Sequence, residues 1–100
     1  MKYVWTWKGK FFGYILNDIL YTKKGKSVGI LSGDNIYGCD GKYIGEIKSE
    51  NRLITCRLKK NHRGPRAPKC RAGSCGTYAN YAGYAMYAGY EEFPSWESFE

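Results

Sequence analysis

Apolar and polar positions along the first sixty residues repeat with a period of sixteen. Trp5, Tyr21 and Tyr37 form one column, with Leu53 as a weaker fourth member. Phe12, Val28 and Ile44 form a second column, and Ile15, Leu31 and Ile47 a third. Gly9-Lys10, Gly25-Lys26 and Gly41-Lys42 keep the interval, as do Gly13, Gly29 and Gly45. Agreement of this many columns over three units identifies an internal repeat, with units at 1–16, 17–32, 33–48 and 49–64. The fourth unit departs from the pattern: Arg57 stands at the turn-glycine position and Lys60 at an apolar one. It reads as half a unit that hands over to the tail.

Each unit predicts a β-hairpin. Two short runs rich in Val, Ile, Tyr and Phe flank a Lys-Gly-Lys or Asp-Gly-Lys turn, where glycine supplies the positive φ a tight turn needs. Asp40-Gly41 is the strongest of these turn signals. Asn17-Asp18, Ser32-Gly33-Asp34 and Lys48-Ser49-Glu50-Asn51 mark turns between units. The expectation is an all-β domain over 1–60, with about seven short antiparallel strands. Glycine weakens a strand, so Gly13, Gly29 and Gly45 imply backbones approaching closely at a shared axis. A lone hairpin cannot hide its apolar face, but several around one axis can. Trp5, Tyr21 and Tyr37 are then expected to form one ring, and Ile15, Leu31 and Ile47 another.

Residues 61–100 follow a different rule. Tyr78, Tyr81, Tyr84, Tyr87 and Tyr90 recur every third residue. Small residues hold the adjacent phase from Gly64 through Ala67, Cys70, Gly73, Gly76, Ala79, Ala82 and Ala85 to Ala88. Three residues per turn is the period of a polyproline II helix, and Pro65 and Pro68 favour an extended start. The small face suits tight packing against another surface, and the tyrosine edge presents a row of rings. The composition alone also suits a disordered low-complexity tail, whereas Gly83 and Gly89 oppose a helix over 77–90. The tail is therefore expected to be extended or disordered, a basic linker leading into triplets with an acidic end.

Several of these residues carry a family resemblance. Trp7-Lys8-Gly9-Lys10, Asp18-Ile19-Leu20-Tyr21 and Asn35-Ile36-Tyr37-Gly38-Cys39-Asp40-Gly41-Lys42-Tyr43-Ile44-Gly45 resemble the small bacterial proteins named 4-fold beta flower. The tail resembles them too, ending near Gly89-Tyr90-Glu91-Glu92-Phe93. The resemblance covers nearly the whole chain and implies four pseudo-repeated hairpin petals around a pseudo-fourfold axis. It implies no particular activity.

Charge sharpens the picture. The net charge is +7, but residues 91–100 hold four Glu and no basic group, while residues 57–71 hold seven Lys/Arg. The acidic end is suited to pair with a basic surface, in cis or in trans. No apolar stretch is long enough to span a membrane, and Met1-Lys2 leads into no signal-peptide core, so a cytoplasmic location is expected. Cys39, Cys56, Cys70 and Cys75 lack the doubled close pairs of a zinc site, and reduced thiols are expected in that compartment. His62 stands alone in a basic linker, and Asp18, Asp34 and Glu50 share one repeat position, which is turn chemistry. No nucleophile-base-orienter set is visible, so no catalytic residue, metal or cofactor is assigned. The leading expectation is a non-enzymatic scaffold or protein-interaction module, with a protein partner or self-association. The alternative is a nucleic-acid-binding module that combines basic groups with stacking rings. The candidate interaction surface comprises Lys10, Lys26, Lys42, Tyr78, Tyr81, Tyr84, Tyr87, Phe93 and Trp96.

Overall fold

The computed structural model covers residues 1–100. At each glycine-lysine turn the same two backbone bonds recur. Gly9 N–H donates to Thr6 O and Thr6 N–H to Lys10 O; the sets Thr22-Gly25-Lys26 and Gly38-Gly41-Lys42 repeat this. Gly9, Gly25 and Gly41 have φ of 93, 87 and 79°. The Thr6 and Thr22 hydroxyls also accept the Lys10 and Lys26 N–H. In the third turn, where position 38 is glycine, the Asp40 carboxylate accepts the Lys42 N–H instead. Between the first two units, Asn17 and Asp18 have φ of 52 and 65°, the signature of a two-residue type I′ turn.

These turns order seven strands: β1 Lys2–Thr6, β2 Phe11–Leu16, β3 Ile19–Thr22, β4 Ser27–Ser32, β5 Asn35–Tyr37, β6 Tyr43–Lys48 and β7 Arg52–Cys56. Each pairs antiparallel with the next. The sheet then closes into a barrel by a parallel contact between β1 and β7, with Trp5 opposite Arg52 and Thr6 opposite Leu53. That contact is short. Beyond Leu53, β7 pairs antiparallel with an eighth strand, β8 Tyr90–Glu92, drawn from the tail. The half unit at 49–64 is thus completed by a strand some thirty residues further on, and four petals surround one core.

The core contains Val4, Phe12, Ile15, Leu20, Val28, Ile36, Leu53 and Phe93, with Leu31, Ile44 and Ile47 at its margin. Val4, Leu20 and Ile36 form its inner column. The expected inner ring of Trp5, Tyr21 and Tyr37 is corrected here: one residue further along each strand, these rings point outward, because successive strand side chains alternate faces. They are nonetheless buried, because the tail covers them. The glycine expectation is corrected in the same way. A Cβ at Gly13 would strike Tyr21 O, one at Gly29 would meet Ile36 Cγ2 and Tyr37 O, and one at Gly45 would meet the Phe93 ring and Ile54 O. The close approach is to the neighbouring strand and to Phe93, not to backbones gathered at an axis.

The tail is extended and hydrogen-bonded along the petal tips, visiting them in reverse order. Gly64 N–H donates to Gly41 O, Ala72 N–H to Gly25 O and Tyr81 N–H to Gly9 O, at 2.8–2.9 Å. At the fourth petal, Arg57 N–H donates to Gly89 O. Residues of the small triplet phase meet the outer rings mainly through their backbone: Gly64 lies on Tyr37 with no room for a Cβ, Gly73 O accepts the Tyr14 hydroxyl, and Ala79 O and Ala85 O accept the Trp5 and Trp7 indole N–H. After β8 the chain plugs one mouth of the barrel, where Trp96 and Phe99 pack against the core.

Phe93 and the turn glycines test this account. Phe93→Ala empties a fully buried site and is expected to cost about 3–5 kcal/mol in urea unfolding, against less than about 0.5 kcal/mol for Leu58→Ala on the surface. Gly25→Ala adds a clash with the Ala72 carbonyl to its unfavourable φ, whereas Gly33→Ala (φ 62°, open space) suffers the backbone term alone. The first is expected to destabilise more than the second, whose cost is about 1–2 kcal/mol.

Candidate interaction surface

The tyrosine triplets lie where the tail crosses the first petal. Tyr78 sits against Tyr3 and Phe11, with centroids 4.4 and 5.3 Å away. Tyr81 stacks on Trp5 at 4.0 Å and 18°. Tyr84 and Tyr87 both lean on Trp7, at 4.9 and 5.2 Å. Each ring is therefore backed by another ring, yet 42–53% of each tyrosine is exposed. The result is a fixed ladder of four aromatic faces.

Arg52 anchors the ladder from below. It is buried. Although sixteen-residue spacing puts it in the sequence column of Val4, Leu20 and Ile36, it lies on the outer face opposite Trp5, while Leu53 takes the inward place opposite Ile47. Its Nη1 donates to Trp7 O and its Nη2 to Ala82 O. Its guanidinium lies 4.3 Å from the Tyr84 ring centre and 5.2 Å from that of Tyr81, a cation–π arrangement strengthened by desolvation. Neither Arg52 nor the two tryptophans was singled out for the surface from sequence, although a cation in an otherwise apolar repeat column was the available signal.

The remaining candidates separate. Lys10 and Lys42 are exposed at their turns and Lys26 is half-buried. The backbones of Lys26 and Lys42 bridge antiparallel to Arg71 and Arg63. Trp96 is half-buried, with Lys23 and Lys24 ammonium groups 4.6 and 5.5 Å from its ring centre. Phe93 is 1% exposed in the core and presents no surface. The structure thus gathers Tyr78, Tyr81, Tyr84 and Tyr87 near the Gly9-Lys10 turn and leaves Lys26 and Lys42 on other petals.

The acidic end is engaged in cis. Glu91 pairs with Arg57 and Lys60 at 3.3 and 2.9 Å. Glu100 accepts from the Thr22 hydroxyl at 2.6 Å and pairs with Arg71 at 3.3 Å. The Lys60 hydrogen bond holds the Glu91 carboxyl below the usual range, and the Thr22 hydroxyl, helped by Arg71, does the same for Glu100. Elsewhere, buried Glu46 accepts from the Tyr43 hydroxyl and from Lys59 Nζ, while the Tyr43 hydroxyl accepts the Cys56 N–H. Burial raises the Tyr43 hydroxyl well above its usual range. This network ties β6 to β7 as satisfied structural polar groups. All four cysteines are free thiols.

A closed barrel of repeated hairpins, belted and plugged by its own C-terminal segment, defines a compact all-β repeat module. The chain belongs to the 4-fold beta flower family: the family model, described as 4-fold beta flower protein, matches residues 2–53. No curated protein and no solved structure matches the chain. No helix is long and apolar enough to cross a membrane.

Because the Glu91 and Glu100 carboxyls are depressed in the folded state, their stabilisation is complete above the ordinary glutamate value and lost as pH falls through the folded values. Tail protection in hydrogen exchange is expected to hold above about pH 5 and decline below about pH 4. The decline is expected to be weaker in a Glu91→Gln/Glu100→Gln variant, which has already lost these ion pairs.

Proposed function

We propose that the chain is a non-enzymatic protein-interaction module whose contact face is the ladder Tyr78, Tyr81, Tyr84 and Tyr87. The observation that carries this reading is that four tyrosines stay about half exposed while each is immobilised on another aromatic ring. Tyrosine supplies large amphipathic contact area with few rotatable bonds, and aromatic residues are enriched at interface cores. Pre-fixed rings also lose little further entropy on binding.

Nucleic-acid binding is the weaker reading. It favours stacking rings and phosphate-binding cations along one groove. Here the basic tail segment, Arg63 to Arg71, crosses the third and second petals, while the ladder lies on the first.

The test is site-directed photocrosslinking in cells with p-benzoylphenylalanine at position 81 or 84, and at position 50 as control. A nuclease-resistant adduct to one protein, formed from 81 and 84 and not from 50, supports the reading. Adducts to nucleic acid alone, or none, overturn it. With the partner purified, Tyr81→Ser/Tyr84→Ser is expected to weaken binding about 30-fold or more, with the barrel still folded by circular dichroism.

A further inference from the structure

A second surface lies between the second and third petals, where two adjoining cavities of about 570 and 630 Å³ share Lys26, Ser27, Cys39 and Lys69. One adds Arg71 and the other Arg66. Four cations therefore converge on one depression, three of them from a six-residue stretch of the tail laid across the petals. Two carboxylates oppose them. Asp40 is turned into its own hairpin by the Lys42 N–H. Glu100 lies on Arg71 and the Thr22 hydroxyl, with its neighbours Ser98 and Phe99 forming a wall of the depression.

We propose that this depression binds a small phosphate-bearing anion through Lys26, Arg66, Lys69 and Arg71, with the Glu100 carboxylate as a tethered competitor at its edge. Glu100 supports the assignment: at the edge of the depression its carboxylate already engages Arg71, one of the four cations, together with the Thr22 hydroxyl, the donor types that recognise phosphate oxygens. Four cations facing two carboxylates leave an excess matched by a phosphate group carrying about −1.5 to −2 charge at neutral pH. The site is independent of the tyrosine ladder. A phosphate arriving here competes with Glu100 for Arg71, so binding and docking of the C-terminal plug oppose each other.

Pyrophosphate, inorganic phosphate, adenosine 5′-monophosphate and adenosine are titrated separately into isotope-labelled full-length protein at low salt. Saturable amide shifts at Lys26, Ser27, Cys39 and Cys70 are expected with the phosphate-bearing probes and not with adenosine. Glu100→Gln is expected to tighten pyrophosphate binding several-fold, whereas Glu50→Gln, with the same charge change at a distant turn, leaves it unaltered. Arg66→Glu/Lys69→Glu, two exposed side chains, is expected to weaken it at least tenfold with an unchanged melting temperature. Either order of affinity between the nucleotide and pyrophosphate supports the site and distinguishes a phosphorylated metabolite from an inorganic phosphate as its ligand. No saturation at millimolar pyrophosphate, equal effects of Glu100→Gln and Glu50→Gln, or undiminished binding by Arg66→Glu/Lys69→Glu overturns the proposal.

Discussion

The backbone edge of β7 is the constraint on which the rest of the structure depends. β7 closes the barrel against β1 through only two residue pairs and then diverges, leaving Ile54–Cys56 with donors and acceptors to satisfy. Unpaired strand edges are both costly and sticky. β8 satisfies this edge, and Phe93, directly after it, enters the core against Phe12 and over Gly45. The tail is therefore part of the barrel, because the fourth petal has no second strand of its own.

The requirement that the tail reach β8 explains its composition. Having left β7 at the fourth petal, the chain returns there only after passing the other three. On the way it lies on a belt of outward-facing rings, Tyr37, Tyr21, Trp5 and Trp7. At Gly64 a side chain of any size would strike the Tyr37 ring, and elsewhere the small residues let their carbonyls reach the Tyr14, Trp5 and Trp7 side chains. The tyrosines fall in another phase, so they cover the belt from outside while keeping one face in solvent. Structural covering and surface presentation are done by one period-three pattern.

Charge follows the same geometry. The basic segment passes the petals first and the acidic segment arrives last, so Glu91 and Glu100 meet Arg57, Lys60 and Arg71 at the end of the circuit. These pairs are solvent-exposed and individually weak. They locate the end of the chain more than they stabilise the barrel, whose cohesion lies in the apolar core and the backbone bonds of the turns.

The period of sixteen, the glycine turns and the all-β class were legible in the sequence because they are local: a turn needs a positive φ at one position, and a strand needs its apolar run. The period of three was legible for the same reason. Which of two adjacent apolar residues faces inward was not, since Val4-Trp5, Leu20-Tyr21 and Ile36-Tyr37 are apolar at both positions and alternation does not separate them. Only the tertiary structure decided it, because the belt rings are covered by a segment far away in sequence. The source of the fourth petal's second strand was hidden likewise: Arg57 and Lys60 signal that the repeat stops, but Tyr90–Glu92 bear no mark of the repeat. Pairing across so long a loop is chosen by what fills the barrel and satisfies its last edge, a property of the assembled fold and not of any local stretch of chain.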